Sequence, residues 1–413
     1  MKRKKQQKAR PLVLICDDET TAERKWHEAL ERVQAVKGHF DVKGIDESKP
    51  ERVVRTFREE IAILERRRSE ARKGKDSGEP SIFDEASILI VDFDLIRLDQ
   101  GKEEVYLTGE SVAYLARCYS RCKIILALNQ FGDNVFDLTL KGHPESFADL
   151  NLGGSQVHEP GLWGEHTKRF CPWAWPSLPK ALADFDQRIQ DIKNNMDRPI
   201  LEFLEFPASV VSSIPNSILA FIAGGTKKPQ EVTFEDFLEP MGNGLKRKDA
   251  PWPQAGAKER IAVARISKWL ERMVLPGQDI LVDAPHLVLR YPSLLKKKAT
   301  ILESWNATTF LAAPLDRLGI HHEKISRFAF KKAHWLSRPA WFWRELSECQ
   351  DIEEVARPWS SKAPDVVFCE DTSRFVRHDK AKEFAADLPS PFVRRYVEEV
   401  ARVTYKPAVR FSM

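Results

Sequence analysis

Residues 12–19 read LVLICDDE, five apolar residues followed directly by three acidic ones. A short apolar run of this kind is typical of a strand that is buried on both faces. The pattern returns at residues 87–92, SILIVD, and a further apolar run, KIILALN, occupies residues 123–129. Apolar residues at helical spacing separate these runs. Alternating strands and helices predict a parallel α/β sheet with right-handed crossovers and helices on both faces.

Two weaker runs complete the predicted sheet. FDVKGI at residues 40–45 is a short extended piece between two helical patterns, and FADLNL at residues 147–152 is the last apolar run before a proline-rich and tryptophan-rich segment. The sequence therefore predicts a doubly wound, five-stranded parallel sheet in the first part of the chain.

Three aspartates end two of the predicted strands. Asp17 and Asp18 follow the first strand, and Asp92 ends the third. In a parallel α/β sheet, ligands bind beyond the carboxyl ends of the strands, at the point where the strand order reverses. Carboxylates that converge there repel one another, and a hard divalent cation with oxygen ligands, most simply Mg²⁺, relieves the repulsion. The alternative is that these aspartates only cap strand ends and the helices that follow.

Residues 11–160 resemble the receiver (CheY-like) domain of two-component response regulators. LVLICDDETTAERKWHEAL is similar to the first strand, acidic pair and first helix of that family, and SILIVDFDLIRLDQG is similar to its third strand with the phospho-accepting aspartate. The resemblance implies that Asp92 is the phosphoacceptor and that Asp17, Asp18 and Asp92 bind Mg²⁺. It further implies that the backbone carbonyl of Asp94 completes the metal site.

The chain differs from the receiver pattern at the ends of the fourth and fifth strands and in an insertion after Asp92, QGKEEVYL at residues 100–107, which lengthens the loop over the site. Receivers have Thr or Ser at the end of the fourth strand, where this chain has Leu128, Asn129 and Gln130, and they have Lys at the end of the fifth strand, where this chain has GGSQ at 153–156. The sequence thus leaves two interpretations open. One is a working phosphoacceptor, and the other is a pseudo-receiver that folds alike and signals through binding.

Length and composition indicate more than one domain. A chain of 413 residues with 42% hydrophobic residues exceeds the size of a single growing core. We predict a basic arm over residues 1–10, the receiver-like α/β domain over 11–165, a linker and connecting helix over 166–200, and a larger, mostly helical domain of α or α+β class over 201–413. Six cysteines without a CxxC pair argue against a zinc module or a disulfide framework.

The second part carries weaker signals. Helical patterns occupy residues 178–195, 259–274 and 324–336, and two short apolar runs end in acidic residues. Asp283 and His286 follow one of these runs, and Glu370 and Asp371 follow the other. These four residues could form a second, metal-dependent hydrolytic site. The stronger interpretation is that they are capping carboxylates in turns.

These features favour a regulatory protein in which the acidic pocket controls a C-terminal effector or interaction domain, with a kinase or a complex subunit as its protein partner. One alternative is an interaction subunit without phosphotransfer. Another is a metal-dependent enzyme associated with nucleic acid, since lysine-rich clusters at 2–10, 245–248 and 296–298 could contact phosphates. The first two interpretations need no enzymatic activity. A charged N-terminus and the lack of a bilayer-length apolar run predict a cytoplasmic protein without a membrane partner.

Overall fold

The computed structural model describes most of the chain. The described residues are 10–45, 56–75, 78–95, 107–128, 136–137, 146–165, 177–223, 227–238, 256–309, 315–354, 365–385, 392–400 and 403–404. The chain divides into two compact units. The first contains residues 1–133, 146–158 and 251–257, and the second contains residues 134–145, 159–250 and 258–413.

A five-stranded sheet forms the centre of the first unit. Its strands are β1 (Leu12–Cys16), β2 (Asp41–Gly44), β3 (Ala86–Asp92), β4 (Ile124–Leu128) and β5 (Leu150–Leu152). All neighbouring strands are parallel, and their order is β2-β1-β3-β4-β5. Every residue of β1 and β4 is buried, as expected for strands covered on both faces. The five predicted strands and their parallel arrangement are confirmed.

Four helices connect these strands. They are α1 (Thr20–Glu31), α2 (Gln34–His39), α3 (Phe57–Arg72) and α4 (Gly109–Tyr119). Helix α1 contacts α2 and β2, whereas α3 contacts α4. Capping boxes begin α3 at Thr56 and α4 at Thr108, so the side chains there satisfy backbone N–H groups that have no partner inside the helix.

Two buried arginines tie loops of the first unit to its helices. The guanidinium of Arg67 on α3 donates to Asp84 at 2.6 Å and to the carbonyl of Tyr119 at 2.7 Å. Arg117 on α4 donates to Asp149 at 2.5 Å, just before β5. Both arginines are almost completely buried, and each is compensated by a carboxylate, as buried charges require.

The second unit combines helices with small sheets. Its helices are α5 (Leu178–Asn194), α6 (Ile200–Phe203), α7 (Ala208–Val211), α8 (Asn216–Ala223), α9 (Phe234–Leu238), α10 (Ala257–Trp269), α11 (Ala284–Arg290), α12 (Leu302–Asn306) and α13 (Trp343–Ser347). Its strands are β6 (Leu281–Asp283), β7 (Ala340–Phe342), β8 (Val366–Cys369), β9 (Arg374–Arg377), β10 (Lys382–Ala385) and β11 (Arg394–Val397). Strands β6 and β7 pair with each other, and the other four form a mixed sheet of order β9-β8-β11-β10. A two-residue parallel pairing joins Phe136–Asp137 to Val403–Thr404.

The helical predictions for the second part are confirmed in two places and wrong in one. Helix α5 covers the pattern at 178–195, and α10 continues into a π-helical turn at Leu270–Val274. The pattern at 324–336 instead forms isolated 3-10 turns. Extended pairing explains the difference, because the N–H of Phe330 donates to the carbonyl of Ala340 and Ala329 bridges Trp341.

None of the helices among the described residues is both long and apolar enough to cross a membrane.

Candidate functional site

Asp17, Asp18 and Asp92 lie together at the carboxyl ends of two adjacent strands. In the parallel pairing of β1 with β3, Cys16 is opposite Val91, so Asp17 and Asp92, the next residues of the two segments, lie at the same edge of the sheet. One carboxylate oxygen from each aspartate lies within 4.8 Å of those of the other two. We call these three residues the acidic pocket.

The acidic pocket is at the point where the strand order reverses. From β1 the chain goes to β2 on one side and then crosses to β3, β4 and β5 on the other. Crossovers that leave in opposite directions open a crevice between the two central strands, and this is where ligands bind in open α/β sheets. The predicted convergence of the three carboxylates is therefore present in the structure.

Asp17 is held in place by donors from helix α1 and from the residue just before it. Its carboxylate accepts from the N–H of Glu19 at 2.8 Å and from the indole Nε1 of Trp26 at 3.3 Å. Burial is the main cause of the raised pKa of Asp17, and the donors oppose it only in part. The Trp26 ring requires a glycine beside it, because a Cβ at Gly154 would lie 2.6 Å from the indole.

Asp92 has the most perturbed carboxyl group in the acidic pocket. Burial and the nearby charge of Asp17 raise the pKa of Asp92 to about 7, although the N–H of Asp94 donates to its carboxylate at 3.2 Å. A carboxyl group with this pKa holds a proton near neutrality unless a cation replaces it. The donor set consists of carboxylate oxygens, which are the ligands that Mg²⁺ prefers.

The segment after Asp92 is fixed by close backbone packing. Phe93 donates its N–H to the carbonyl of Leu128 and accepts from the N–H of Gly109, and Asp94 bridges Thr108. Phe93, next in sequence to Asp92, is 43% exposed. The predicted metal contact of the Asp94 carbonyl stays a prediction, and Asn129 and Gln130 lie outside the described residues.

Replacing Gly109 with alanine is expected to destabilise the first unit by about 1–3 kcal/mol. A Cβ at Gly109 would lie 2.2 Å from the backbone oxygen of Asp92, and backbone cannot rotate away as a flexible side chain can. Gly38 in α2 is the matched control, because a Cβ there meets no atom within 4 Å. Gly38→Ala should be neutral or stabilise by about 0.5–1 kcal/mol. Urea unfolding of both variants measures the difference, and equal effects would contradict this packing.

The second group of predicted residues is only partly brought together. The imidazole of His286 lies between two carboxylates, with Nδ1 2.6 Å from Asp283 and Nε2 2.9 Å from Glu370. All three side chains are at most 2% exposed. Asp371 has different partners, because its carboxylate accepts hydrogen bonds from the backbone N–H groups of residues 398–400.

Further buried polar groups surround this imidazole. Arg395 donates from Nη1 to Glu370 at 2.5 Å, and the same Nη1 lies 2.6 Å from Nε2 of His286. The side-chain amide of Gln278 donates to the Asp283 carboxylate at 2.9 Å. The backbone of Gln278 is in the left-handed region, with a φ of 59°. We call Gln278, Asp283, His286, Glu370 and Arg395 the buried charge network.

Opposite charges compensate one another in this network. Burial, the largest single effect, and the charge of Arg395 lower the pKa of His286, but the Asp283 and Glu370 carboxylates together outweigh them and the net shift is upward. Burial alone raises the pKa of Glu370, but Arg395 and then His286 outweigh it and the net shift is downward. The described geometry is therefore that of a compensated structural network, with each carboxylate committed to neighbours in the protein.

Neither protein-family models, nor curated proteins, nor solved structures give any match to this chain.

Proposed function

We propose that the first unit is a receiver-like regulatory domain whose acidic pocket binds a divalent cation, and that Asp92 accepts a phosphoryl group there. The observation that carries the proposal is the placement of Asp17, Asp18 and Asp92 around the strand-order reversal, with oxygen atoms within 4.8 Å of one another. A five-stranded parallel sheet with such a cluster is compatible with a receiver-like fold.

The topology supports a doubly wound arrangement. The order β2-β1-β3-β4-β5 is the order of flavodoxin-like sheets, the group that includes CheY. Helix α1 contacts α2 and β2, while α3 and α4 contact each other, as helices in two separate layers would. These contacts are the ones expected of a doubly wound, receiver-like unit.

The proposed chemistry uses the ionised form of Asp92. One carboxylate oxygen of Asp92 bonds to the phosphorus of a donor while the bond from phosphorus to the donor's leaving group breaks. Mg²⁺ held by Asp17, Asp18 and Asp92 would neutralise charge on the phosphoryl oxygens. Trp26 contributes by fixing the Asp17 carboxylate at 3.3 Å.

A partner would sense a change at the acidic pocket through other residues than in typical receivers. The segment after β5 carries Gly153 and Gly154 in place of lysine, and β4 ends in Leu128. Exposed Phe93, next in sequence to Asp92, is the side chain that a protein partner could contact directly. The second unit would then act as the effector or interaction domain, with a kinase or a complex subunit upstream.

Two other functions from the sequence remain as alternatives with distinct expectations. An interaction subunit without phosphotransfer would bind a partner through the same unit without modification of Asp92. The enzyme alternative relied on Asp283, His286, Glu370 and Asp371, and the burial and mutual hydrogen bonds of these residues supply no specific support for it.

Loss of cation binding tests the proposal. We expect Mg²⁺ and Mn²⁺ titrations followed by calorimetry to show a single site in the full chain. Asp17→Asn/Asp18→Asn should weaken that site by more than about 100-fold, because even the loss of groups behind a metal's ligands costs 10–100-fold. Asp41→Asn/Glu85→Gln is a matched control, since both residues are exposed in the same unit. Unchanged affinity in the first variant would exclude the acidic pocket as the site.

A further inference from the structure

Two neighbouring segments of the second unit form a surface with exposed aliphatic and basic side chains. Residues 296–302 and 315–317 are called here the basic–aliphatic patch, and backbone contacts at residues 295–296 and 319–320 join the chain next to the two segments. The N–H of Lys296 donates to the carbonyl of Gly319 at 2.8 Å, and Leu295 bridges Ile320. A Cβ at Gly319 would lie 3.1 Å from the side chain of Ala307, just after α12.

Aliphatic side chains are unusually exposed in this patch. Ile301 is 43% exposed, Leu302 36% and Leu315 40%. Among the described residues only five large hydrophobic side chains are exposed, and these are three of them. Single exposed aliphatics need no explanation, but their concentration in one place marks an interaction surface.

Positive charge is concentrated around the same residues. The two segments of the patch contain four Lys or Arg and one Asp, an excess of three positive charges. The whole chain has a net charge of +4, so most of that net charge is carried by these ten residues. Lys296, Lys297 and Lys298 are all exposed. The partner of this surface must therefore be negatively charged.

We propose that the basic–aliphatic patch docks on a membrane surface rich in anionic phospholipid. Lysines attract anionic headgroups, and neighbouring aliphatic side chains enter the boundary between headgroups and acyl chains. A nucleic-acid duplex would use the cations but leave the aliphatics without a role, and single strands stack on aromatic rings. Glu303 and Asp316 are exposed beside Leu302 and Leu315, which limits the contact to the headgroup layer.

This inference is independent of the acidic pocket, and it revises one expectation from the sequence. The expectation of no membrane partner rested on the lack of an apolar run of bilayer length. Docking on the headgroup layer requires a few aliphatic side chains and a local excess of cations. The patch meets both requirements with residues that are 36–43% exposed.

Co-sedimentation of the full chain with lipid vesicles tests the inference. We expect binding to phosphatidylcholine vesicles that contain phosphatidylserine and little binding to phosphatidylcholine alone. Lys296→Ala/Lys297→Ala/Lys298→Ala should weaken binding by about 100-fold, since each lysine near an anionic surface contributes close to a factor of five. Ile301→Ser/Leu302→Ser should weaken it by about tenfold or more.

Two control variants make the comparison specific. Arg72→Ala/Lys73→Ala/Lys75→Ala removes the same charge from an exposed helix end, and Val393→Ser removes an exposed aliphatic side chain elsewhere. Neither should change vesicle binding. Equal binding to both vesicle types, or equal losses in patch and control variants, would overturn the inference. Failure to bind vesicles, with lysine-dependent binding to a DNA duplex, would also overturn it and identify a nucleic-acid surface.

Discussion

Glu370→Ala is expected to destabilise the second unit by about 3–5 kcal/mol, the usual effect of removing one partner from a buried ion pair. Arg395 is 4% exposed and donates to Glu370 at 2.5 Å, so the substitution leaves its guanidinium without the carboxylate that compensates it. The imidazole of His286 loses the same carboxylate. Urea unfolding followed by tryptophan fluorescence measures the change.

Glu383→Ala is the matched control for this experiment. Glu383 pairs with Arg394 at 3.4 Å, next to Arg395 in sequence, but both side chains of this pair are more than 40% exposed. Surface pairs of this kind contribute about 0–1 kcal/mol because water and salt screen them. Similar losses in the two variants would contradict the description of the network as buried and mutually compensated.

Cation binding to the acidic pocket is expected to weaken about tenfold for each pH unit below 7. Burial and the charge of Asp17 raise the pKa of Asp92 to about 7, so below that pH a cation must displace a proton from Asp92. Above pH 7 the carboxylate is already ionised and the affinity should level off. The raised pKa of Asp17 acts in the same direction.

The same pKa shift predicts how stability depends on pH without a cation. Because the folded state holds the proton on Asp92 more tightly than the unfolded chain, the first unit should lose stability as pH rises from about 4 to 7.

Titrations with Mn²⁺ across this pH range measure the affinity of the acidic pocket for the cation. Asp92→Asn should bind weakly at every pH with a flatter profile, and a pH-independent affinity in the unsubstituted chain would contradict the assigned pKa.

The sheet and the acidic pocket were predictable because their signals are local. Five short apolar runs became the five parallel strands, and strand ends in neighbouring positions had to bring Asp17, Asp18 and Asp92 together. Asp92 is the last residue of β3, and Asp17 and Asp18 are the first two residues after β1, so the chain has little freedom to carry them elsewhere.

Other parts of the site depend on contacts between distant residues. Trp26 reads as an apolar position on a helix, and only the fold shows that its indole donates to Asp17 and requires Gly154 beside it. Arg67 and Arg117 lie in helical patterns of the sequence, and both are buried against carboxylates. Nothing local in the sequence distinguishes such arginines from solvated ones.

In the second unit, too, local sequence patterns do not show contacts between distant residues. The pattern at 324–336 has helical spacing, but pairing of residues 329–330 with 340–341 overrides it. Asp283, His286 and Glu370 were found through their positions after apolar runs, yet Arg395 was missed because it lies within strand β11, where its burial follows only from tertiary packing.

Incubation of the full chain with Mg²⁺ and acetyl phosphate, followed by intact mass spectrometry, tests the central claim most directly. The account predicts the mass of one added phosphoryl group, which disappears when Mg²⁺ is omitted and in Asp92→Ala, while Asp41→Asn retains it. An unmodified chain under conditions in which Mg²⁺ binds, or modification that persists in Asp92→Ala, would contradict the role of Asp92 as phosphoacceptor.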